Sequence, residues 1–172
     1  TIAGYIYSSG STGLPKGITL TQGNLELGAR LVSQYTELTK YDKIFTPLRP
    51  NFDYGLNQIW QCLKVGSSIC SFNMRRPYTF FSELAKSKAS VLPLMPAIID
   101  ILRTPLISRT ARNYDLSHVR FVCSSGGKLS KKQLSWLEEI FPTAWICPMY
   151  GLTEAFRSTY VPKEYLSLIH IS

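Results

Sequence analysis

Four Ser and Thr side chains, three glycines and one lysine lie within Tyr7-Ser8-Ser9-Gly10-Ser11-Thr12-Gly13-Leu14-Pro15-Lys16-Gly17. Glycines let a backbone approach a ligand closely. Successive N–H groups in such a turn form an anion-binding concavity. Ser8, Ser9, Ser11 and Thr12 add hydroxyl donors, and Lys16 adds a mobile positive charge. The chemistry this suits is the binding of a polyphosphate. The same composition also suits an ordinary surface turn, since Gly, Ser and Pro dominate turns. It is not a Walker A loop. Counting from Gly10, the second glycine position holds Pro15, and Gly17 stands where Ser or Thr should follow Lys16.

Tyr150-Gly151-Leu152-Thr153-Glu154 is a second candidate. A tyrosine ring can stack on a purine and a threonine hydroxyl can reach a phosphate. A carboxylate can hold Mg²⁺, which is typically bound by one or two carboxylates together with substrate phosphates. Alone, the five residues equally describe a Tyr-Gly turn with an exposed Glu. Ser124-Ser125-Gly126-Gly127 is a third polar, glycine-rich turn, and Phe52-Asp53 places a carboxylate beside an aromatic ring. Asp53 could hold a substrate ammonium or cap the helix that follows it.

These residues need elements to carry them. Ile2 to Tyr7 reads as a buried strand leading into the glycine-rich stretch, and 18–20 as a short strand after it. Thr21 caps a helix over 22–38, whose apolar face is Leu27, Leu31, Val32, Tyr35 and Leu38. A strand at 44–46 ends at Pro47. A helix over 54–65, with Leu56, Ile59, Trp60 and Leu63 as its face, stops at Gly66. Strands follow at 68–72 and 91–94, separated by a helix through Phe80, Phe81, Leu84 and Ala85. Pro96 opens another helix, with Ile98, Ile101 and Leu102 as its stripe. Residues 105–116 are irregular or briefly helical. A strand at 119–123 runs into the third turn. Ser130 and Gln133 form a capping box for a helix that Pro142 ends, and 144–147 is a strand. Strands alternating with helices make an α/β fold, a layered sheet with helices on both faces. Ligands in such sheets sit at the carboxyl ends of strands. All three candidate turns follow strands, which predicts one site on one edge.

With 45% hydrophobic and 17% charged residues among 172, the chain is long and apolar enough for a real core. The net charge of +8 is scattered, tight only at Arg75-Arg76 and at Lys128, Lys131 and Lys132, and no nucleic-acid-binding module is visible. The four cysteines lack C-x-x-C spacing. Cys70, Cys123 and Cys147 fall in apolar runs and read as small core residues in a reducing, cytoplasmic compartment. No apolar run is long enough to span a membrane and no signal peptide is visible.

Ser8 to Gly17 resembles, at every position, the signature [ST]-[ST]-G-[ST]-T-G-x-P-K-G of the AMP-forming adenylate-forming superfamily, which holds acyl-CoA synthetases, luciferases and peptide-synthetase adenylation domains. Tyr150 to Glu154 resembles its Y-G-x-T-E motif in full, in the right order. Arg120 to Gly127 looks like the family's strand and glycine turn beside adenine and the acyl pocket. Pro47 to Asn57 resembles its mid-domain pocket motif. There Phe52 takes a gate position that is His in many acyl-CoA synthetases.

The resemblance implies an acid–thiol ligase. ATP·Mg²⁺ activates a small-molecule carboxylic acid to an acyl-adenylate with release of pyrophosphate. A thiol, coenzyme A or that of a carrier protein, then takes the acyl group. It further implies that Ser8, Ser9, Gly10, Ser11, Thr12, Gly13, Lys16 and Gly17 hold the β- and γ-phosphates. Tyr150 and Gly151, with Gly126 and Gly127, would flank adenine. Thr153 would contact the α-phosphate and Glu154 would bind Mg²⁺. Phe52, Asp53, Ser125 and Gly126 would meet the acid. Lys16, Thr153 and Glu154 are its candidate catalytic residues.

Two departures stand out. Gln22-Gly23-Asn24 replaces the family's frequent His-x-Asn. Phe52-Asp53 also resembles the F-D pair of amino-acid adenylation domains, although those usually carry Pro where Leu152 stands. Met149 to Pro162 looks closest to acyl-CoA ligases associated with exosortase clusters. The resemblance makes residues 1–166 the central part of a large N-terminal AMP-binding domain, so that this stretch alone would bind nucleotide without turning over. The tail 167–172, including His170, does not continue the pattern and resembles a translated sequencing adapter.

Overall fold

The computed structural model describes residues 1–9 and 14–165. The order of elements is β1 (Ile2–Ser9), β2 (Pro15–Thr21), α1 (Gln22–Tyr35), β3 (Lys43–Thr46), α2 (Asp53–Val65), β4 (Ser68–Ser71), α3 (Phe80–Ser87), β5 (Val91–Leu94), α4 (Pro96–Leu102), α5 (Pro105–Ser108), β6 (Phe121–Ser124), α6 (Lys131–Ile140), β7 (Trp145–Leu152) and β8 (Ala155–Tyr160). Single 3₁₀ turns precede α3 and follow α5. Gly10 to Gly13 and the tail 167–172 lie outside the described residues, and with them the expected boundary at 166.

Six strands form one sheet in the order β4-β3-β5-β6-β7-β8, parallel except for β8. The chain steps outward from β3 through α2 to β4, then returns through α3 to β5 on the other side of β3. That reversal is the kind of switch point beside which open α/β sheets bind ligands. Strands buried on both faces read as continuous apolar runs. Phe121, Val122 and Cys123 of β6 fit this, all being buried. On one face Ile44, Val91, Phe121, Cys123 and Cys147 pack against Tyr54, Cys62 and Leu38. On the other, Phe45, Leu92, Leu94, Val122 and Ile146 pack against Phe80, Phe81 and Leu84 of α3, Ile99 and Leu102 of α4, and Leu134 and Leu137 of α6. The layered α/β architecture, with helices on both faces, is the one expected.

The capping boxes Thr21/Asn24 and Ser130/Gln133 are formed, with the side chain of each partner reaching the backbone of the other. Four expectations need correction. First, β1 is a strand but not a buried one. It pairs with β2 alone in a separate two-stranded sheet, leaving Tyr5 and Tyr7 58% and 70% exposed while Ile6 is 7% exposed. Second, α1 turns the stripe Leu25, Gly28, Ala29, Val32 and Ser33 inward, and Leu27 and Leu31 are exposed. Small residues on the inward stripe let α1 approach α2 closely. Third, α2 buries Tyr54, Asn57, Gln58 and Gln61 rather than its leucines. Two of the buried amides bond within the helix, while Asn57 Nδ2 is buried with no hydrogen-bond partner among the described residues. Gln58 Nε2 donates to the Tyr54 carbonyl at 3.1 Å and Gln61 Nε2 to Asn57 Oδ1 at 2.6 Å. Leu56 and Trp60 pack instead beneath the β1–β2 hairpin. Fourth, α4 buries Ile99 with Leu102, and Ile101 is exposed.

Candidate functional site

The expectation that Pro15 to Gly17 form part of a turn is not met. Those three residues begin β2, and Ser8 pairs across the hairpin with Lys16, Ser9 with Pro15. Side chains alternate between the faces of a strand. Ser8 and Lys16 therefore share the face of Ile6 and Ile18, which pack in the small core over α1 and α2. That face is apolar near the helices and turns polar toward the loop. Lys16 is exposed and Ser8 half-buried. On the opposite face the Tyr7 ring lies over Gly17, where a Cβ would stand 3.3 Å from Tyr7 Cε1.

The strand β6 ends at Ser124 and is followed by Ser125, both buried. The Ser125 N–H donates to the Leu94 carbonyl at 3.3 Å, which ties the turn to the end of β5. Gly126 then takes φ +79°, a left-handed conformation that costs a residue with a Cβ roughly 1–2 kcal/mol. A Cβ there would also lie 2.9 Å from Met95 Cε. Gly127 rests on the Pro96 ring, with a would-be Cβ 3.3 Å from Pro96 Cγ. The chain thus turns flat across the end of the sheet.

Tyr150 and Gly151 do not follow a strand, as expected, but belong to β7, which runs on to Leu152. Thr153 and Glu154 form a turn, and β8, which periodicity did not suggest, returns antiparallel. The return puts Val161 beside Pro148, with a backbone hydrogen bond of 3.1 Å. Between this hairpin and the Ser125–Gly127 turn lies a cavity of about 750 Å³ at the carboxyl ends of β6 and β7. That is within the range of small-molecule sites, roughly 300–1,000 Å³. Its wall includes Ser125, Gly126, Gly127, Tyr150 and Gly151. Ser124, Lys128, Met149 and Val161 also line it, and sequence reasoning assigned them no role. The Ser124 hydroxyl is buried with no hydrogen-bond partner. Its position directly before the glycine turn was the available signal.

Thr153 and Glu154 face a second, smaller cleft of about 280 Å³, shared with Ile18, Thr19 and Leu20 of β2 and with Leu27 and Leu31 of α1. The hairpin tip thus links the β1–β2 unit to the main sheet. Two of the three expected turns share that edge, and the strands that flank the first, β1 and β2, form a separate sheet. Lys16 and Ser8 line neither cleft.

Phe52 is the N-cap residue of α2 and makes no side-chain cap bond; Asp53 is the first residue of the helix itself. The expectation that Asp53 caps α2 is therefore corrected. In the first turn its charge still favours the helix dipole. Phe52 is half-buried against the cluster containing Tyr54, Cys123 and Met149. Gly55 is required where it stands, since a Cβ would collide with the Arg49 carbonyl oxygen.

All four cysteines are free. Burial, with the neighbouring Cys123, pushes the Cys147 thiol up to about 12, and burial likewise raises Cys62. These are core thiols, not nucleophiles. Among the described residues no three His, Cys, Asp or Glu side chains cluster as a metal site, and no helix is long and apolar enough to cross a membrane. A lone carboxylate such as Glu154 beside a threonine suits a Mg²⁺ held mainly by substrate phosphates.

A family model described as AMP-binding enzyme matches residues 1–168. Among curated relatives, the 4-coumarate–CoA ligase of Pinus taeda is 34% identical over 155 residues, covering 87% of this chain and 28% of that protein. The 4-coumarate–CoA ligase 1 of Solanum tuberosum is 34% identical with the same coverage. The chain therefore spans 28% of the length of these relatives. Among solved structures, VinN with L-aspartate superposes with a TM-score of 0.83 at 24% identity, covering 95% of this chain and 41% of that one. A long-chain-fatty-acid-CoA ligase of Archaeoglobus fulgidus gives 0.82 at 20% identity, covering 97% and 35%. These likenesses share the fold, and the match across nearly the whole sequence settles the family: the chain belongs to the AMP-binding enzymes.

Proposed function

We propose that the protein containing this chain is an AMP-forming acid–thiol ligase, an acyl-CoA synthetase that works in the cytoplasm. The observation that carries the reading is the joining of the Ser125–Gly127 turn and Tyr150-Gly151 around one cavity at the carboxyl ends of β6 and β7. A carboxylate oxygen of the acid attacks the α-phosphorus of ATP. The α–β anhydride breaks and pyrophosphate leaves. A thiol then attacks the acyl carbon and AMP departs. The thiol is that of coenzyme A, as in the relatives named for CoA ligation; a carrier-protein thiol would serve the same chemistry.

Such a reaction is catalysed by positioning and by donors aimed at developing charge. Ser8, Ser9, Gly10, Ser11, Thr12, Gly13, Lys16 and Gly17 hold the β- and γ-phosphates. Lys16, at the polar end of the hairpin face, supplies the positive charge as pyrophosphate leaves. Tyr150, exposed at the cavity mouth, stacks on adenine, with Gly126, Gly127 and Gly151 allowing close approach. Thr153 donates to the α-phosphate, and Glu154 would hold Mg²⁺, which would supply positive charge beside the phosphates. Ser125, Gly126, Phe52 and Asp53 lie toward the acid. The narrower resemblance to exosortase-associated ligases belongs to this proposal as well. VinN was crystallised with L-aspartate, but a likeness at that identity carries the fold alone and does not promote an amino acid as substrate.

The test is ATP–pyrophosphate exchange by the full-length gene product. Exchange that depends on an added carboxylic acid supports the reading. Exchange without any acid, or ATP hydrolysis to ADP in its place, contradicts it.

A further inference from the structure

We propose that Met95 sets how far an acyl group can enter this site, and that the substrate is an apolar acid whose tail lies against it. The inference rests on the ligase reading above.

Gly126 forms part of the cavity wall. Behind it stands Met95, the N-cap residue of α4 at the carboxyl end of β5. Its Cε, Cγ and Sδ atoms lie 2.9, 3.6 and 3.7 Å from where a Cβ on Gly126 would be. Met95 packs into the same cluster as Phe52, Tyr54 and Met149, and Met149 itself lines the cavity. The side chains packed beyond Gly126 are therefore apolar, and Phe52 is among that cluster. Its other large member is fixed, because the Tyr54 hydroxyl donates to the Cys123 carbonyl at 3.2 Å. Met95 has no such anchor. It is half-buried, unbranched and able to change rotamer, the property that makes methionine a filler of irregular gaps and of adaptable binding surfaces. The absence of a Cβ on Gly126 is what lets the thioether lie there. Met95 thus lies directly behind the Gly126 wall of the cavity, within the apolar cluster that includes Phe52. Swinging it aside lengthens the site without breaking a hydrogen bond.

The experiment is acid-dependent ATP–pyrophosphate exchange by the full-length gene product over straight-chain acids from butyrate to palmitate. It compares the wild type with Met95→Ala and Met95→Leu. Met95→Ala removes three heavy atoms, so the preferred chain should lengthen by about two to three methylenes, with kcat/KM for the longer acid rising about tenfold or more relative to the wild type's best acid. The KM for ATP should stay within about threefold, a split that a merely structural defect would not give. Met95→Leu, close in volume, should keep the wild-type profile, which checks that the site still assembles. An unchanged chain-length profile in Met95→Ala, with normal exchange in the wild type, overturns the inference and leaves the ligase reading intact. Absence of acid-dependent exchange in the wild type overturns both.

Discussion

The Arg120 guanidinium meets the Asp42 carboxylate edge to edge, Nε to Oδ1 and Nη2 to Oδ2, both at 2.8 Å. Asp42 precedes β3 and Arg120 precedes β6, so the pair ties two strands together at the end of the sheet away from the candidate site. Arg120 also donates to the Thr36 and Glu37 carbonyls, and Ser90 donates to Asp42 from the start of β5. Asp42 is 7% exposed and Arg120 38%. Arg120→Ala should cost about 2–3 kcal/mol, below the roughly 3–5 kcal/mol of a fully buried pair because water reaches the guanidinium. Urea denaturation at neutral pH measures this. A loss under about 0.5 kcal/mol would mean the pair is no more than a surface bridge.

The same pair gives a pH dependence. Burial alone would raise the Asp42 carboxyl, but hydrogen bonds from Arg120, from Ser90 and from the Thr39 N–H outweigh it and hold the group well below the usual carboxylate range. A depressed folded value means that the stabilisation is complete above the unfolded value, about 3.9, and is lost as pH falls from there toward the folded one. The melting temperature should therefore fall more steeply below about pH 4 in the wild type than in Asp42→Asn. Parallel curves would show that Asp42 titrates normally.

Lys16 lies exposed on β2 and has no apolar packing to lose. Lys16→Ala should leave the urea midpoint nearly unchanged while reducing acid-dependent exchange about ten- to hundredfold, the loss of a charged hydrogen bond of about 1.5–3 kcal/mol. A variant that exchanges as fast as wild type removes Lys16 from the phosphate site.

Gly126→Ala should destabilise by about 1–2 kcal/mol through its left-handed backbone. The contact with Met95 is with the free end of a flexible chain, so adding Met95→Ala should not restore stability. If the double variant recovers to the level of Met95→Ala alone, the cost was steric and the backbone argument fails.

Asp53 begins α2 and does not cap it, so Asp53→Asn should lose the dipole contribution, about 0.3–1 kcal/mol. An apolar acid has no cation for this carboxylate, and exchange should stay within a few-fold of wild type. A fall of more than tenfold, together with a preference for amino acids in the panel, would favour an amino-acid adenylation domain instead.

What could be read from the sequence divides along physical lines. Caps were legible because they are local: Thr21 as an N-cap, and Ser130 with Gln133 as a capping box, need only neighbouring residues. The strands at β3, β5 and β6 were legible because burial on both faces makes them continuously apolar. Facing was not legible in α2, where Gln58 and Gln61 are buried by bonding within their own helix, an arrangement that hydropathy reads as a solvent face. β8 was missed because Ala155 to Tyr160 has no strong alternation and depends on pairing with Met149 to Leu152. Tyr150 and Gly151 line the same cavity as Gly126 and Gly127, while Thr153 and Glu154 of the same motif face the second cleft. The placement of Lys16 on a separate hairpin follows from long-range packing of Ile6, Leu20 and Leu25, which no local pattern encodes.

The central claim is that a carboxylate oxygen attacks the α-phosphorus of ATP. Incubating the full-length gene product with ATP, coenzyme A and a substrate acid labelled with ¹⁸O in its carboxylate tests it directly, by mass spectrometry of the products. The account predicts AMP carrying one labelled oxygen and unlabelled pyrophosphate. Label in inorganic phosphate, with ADP as the nucleotide product, would contradict it.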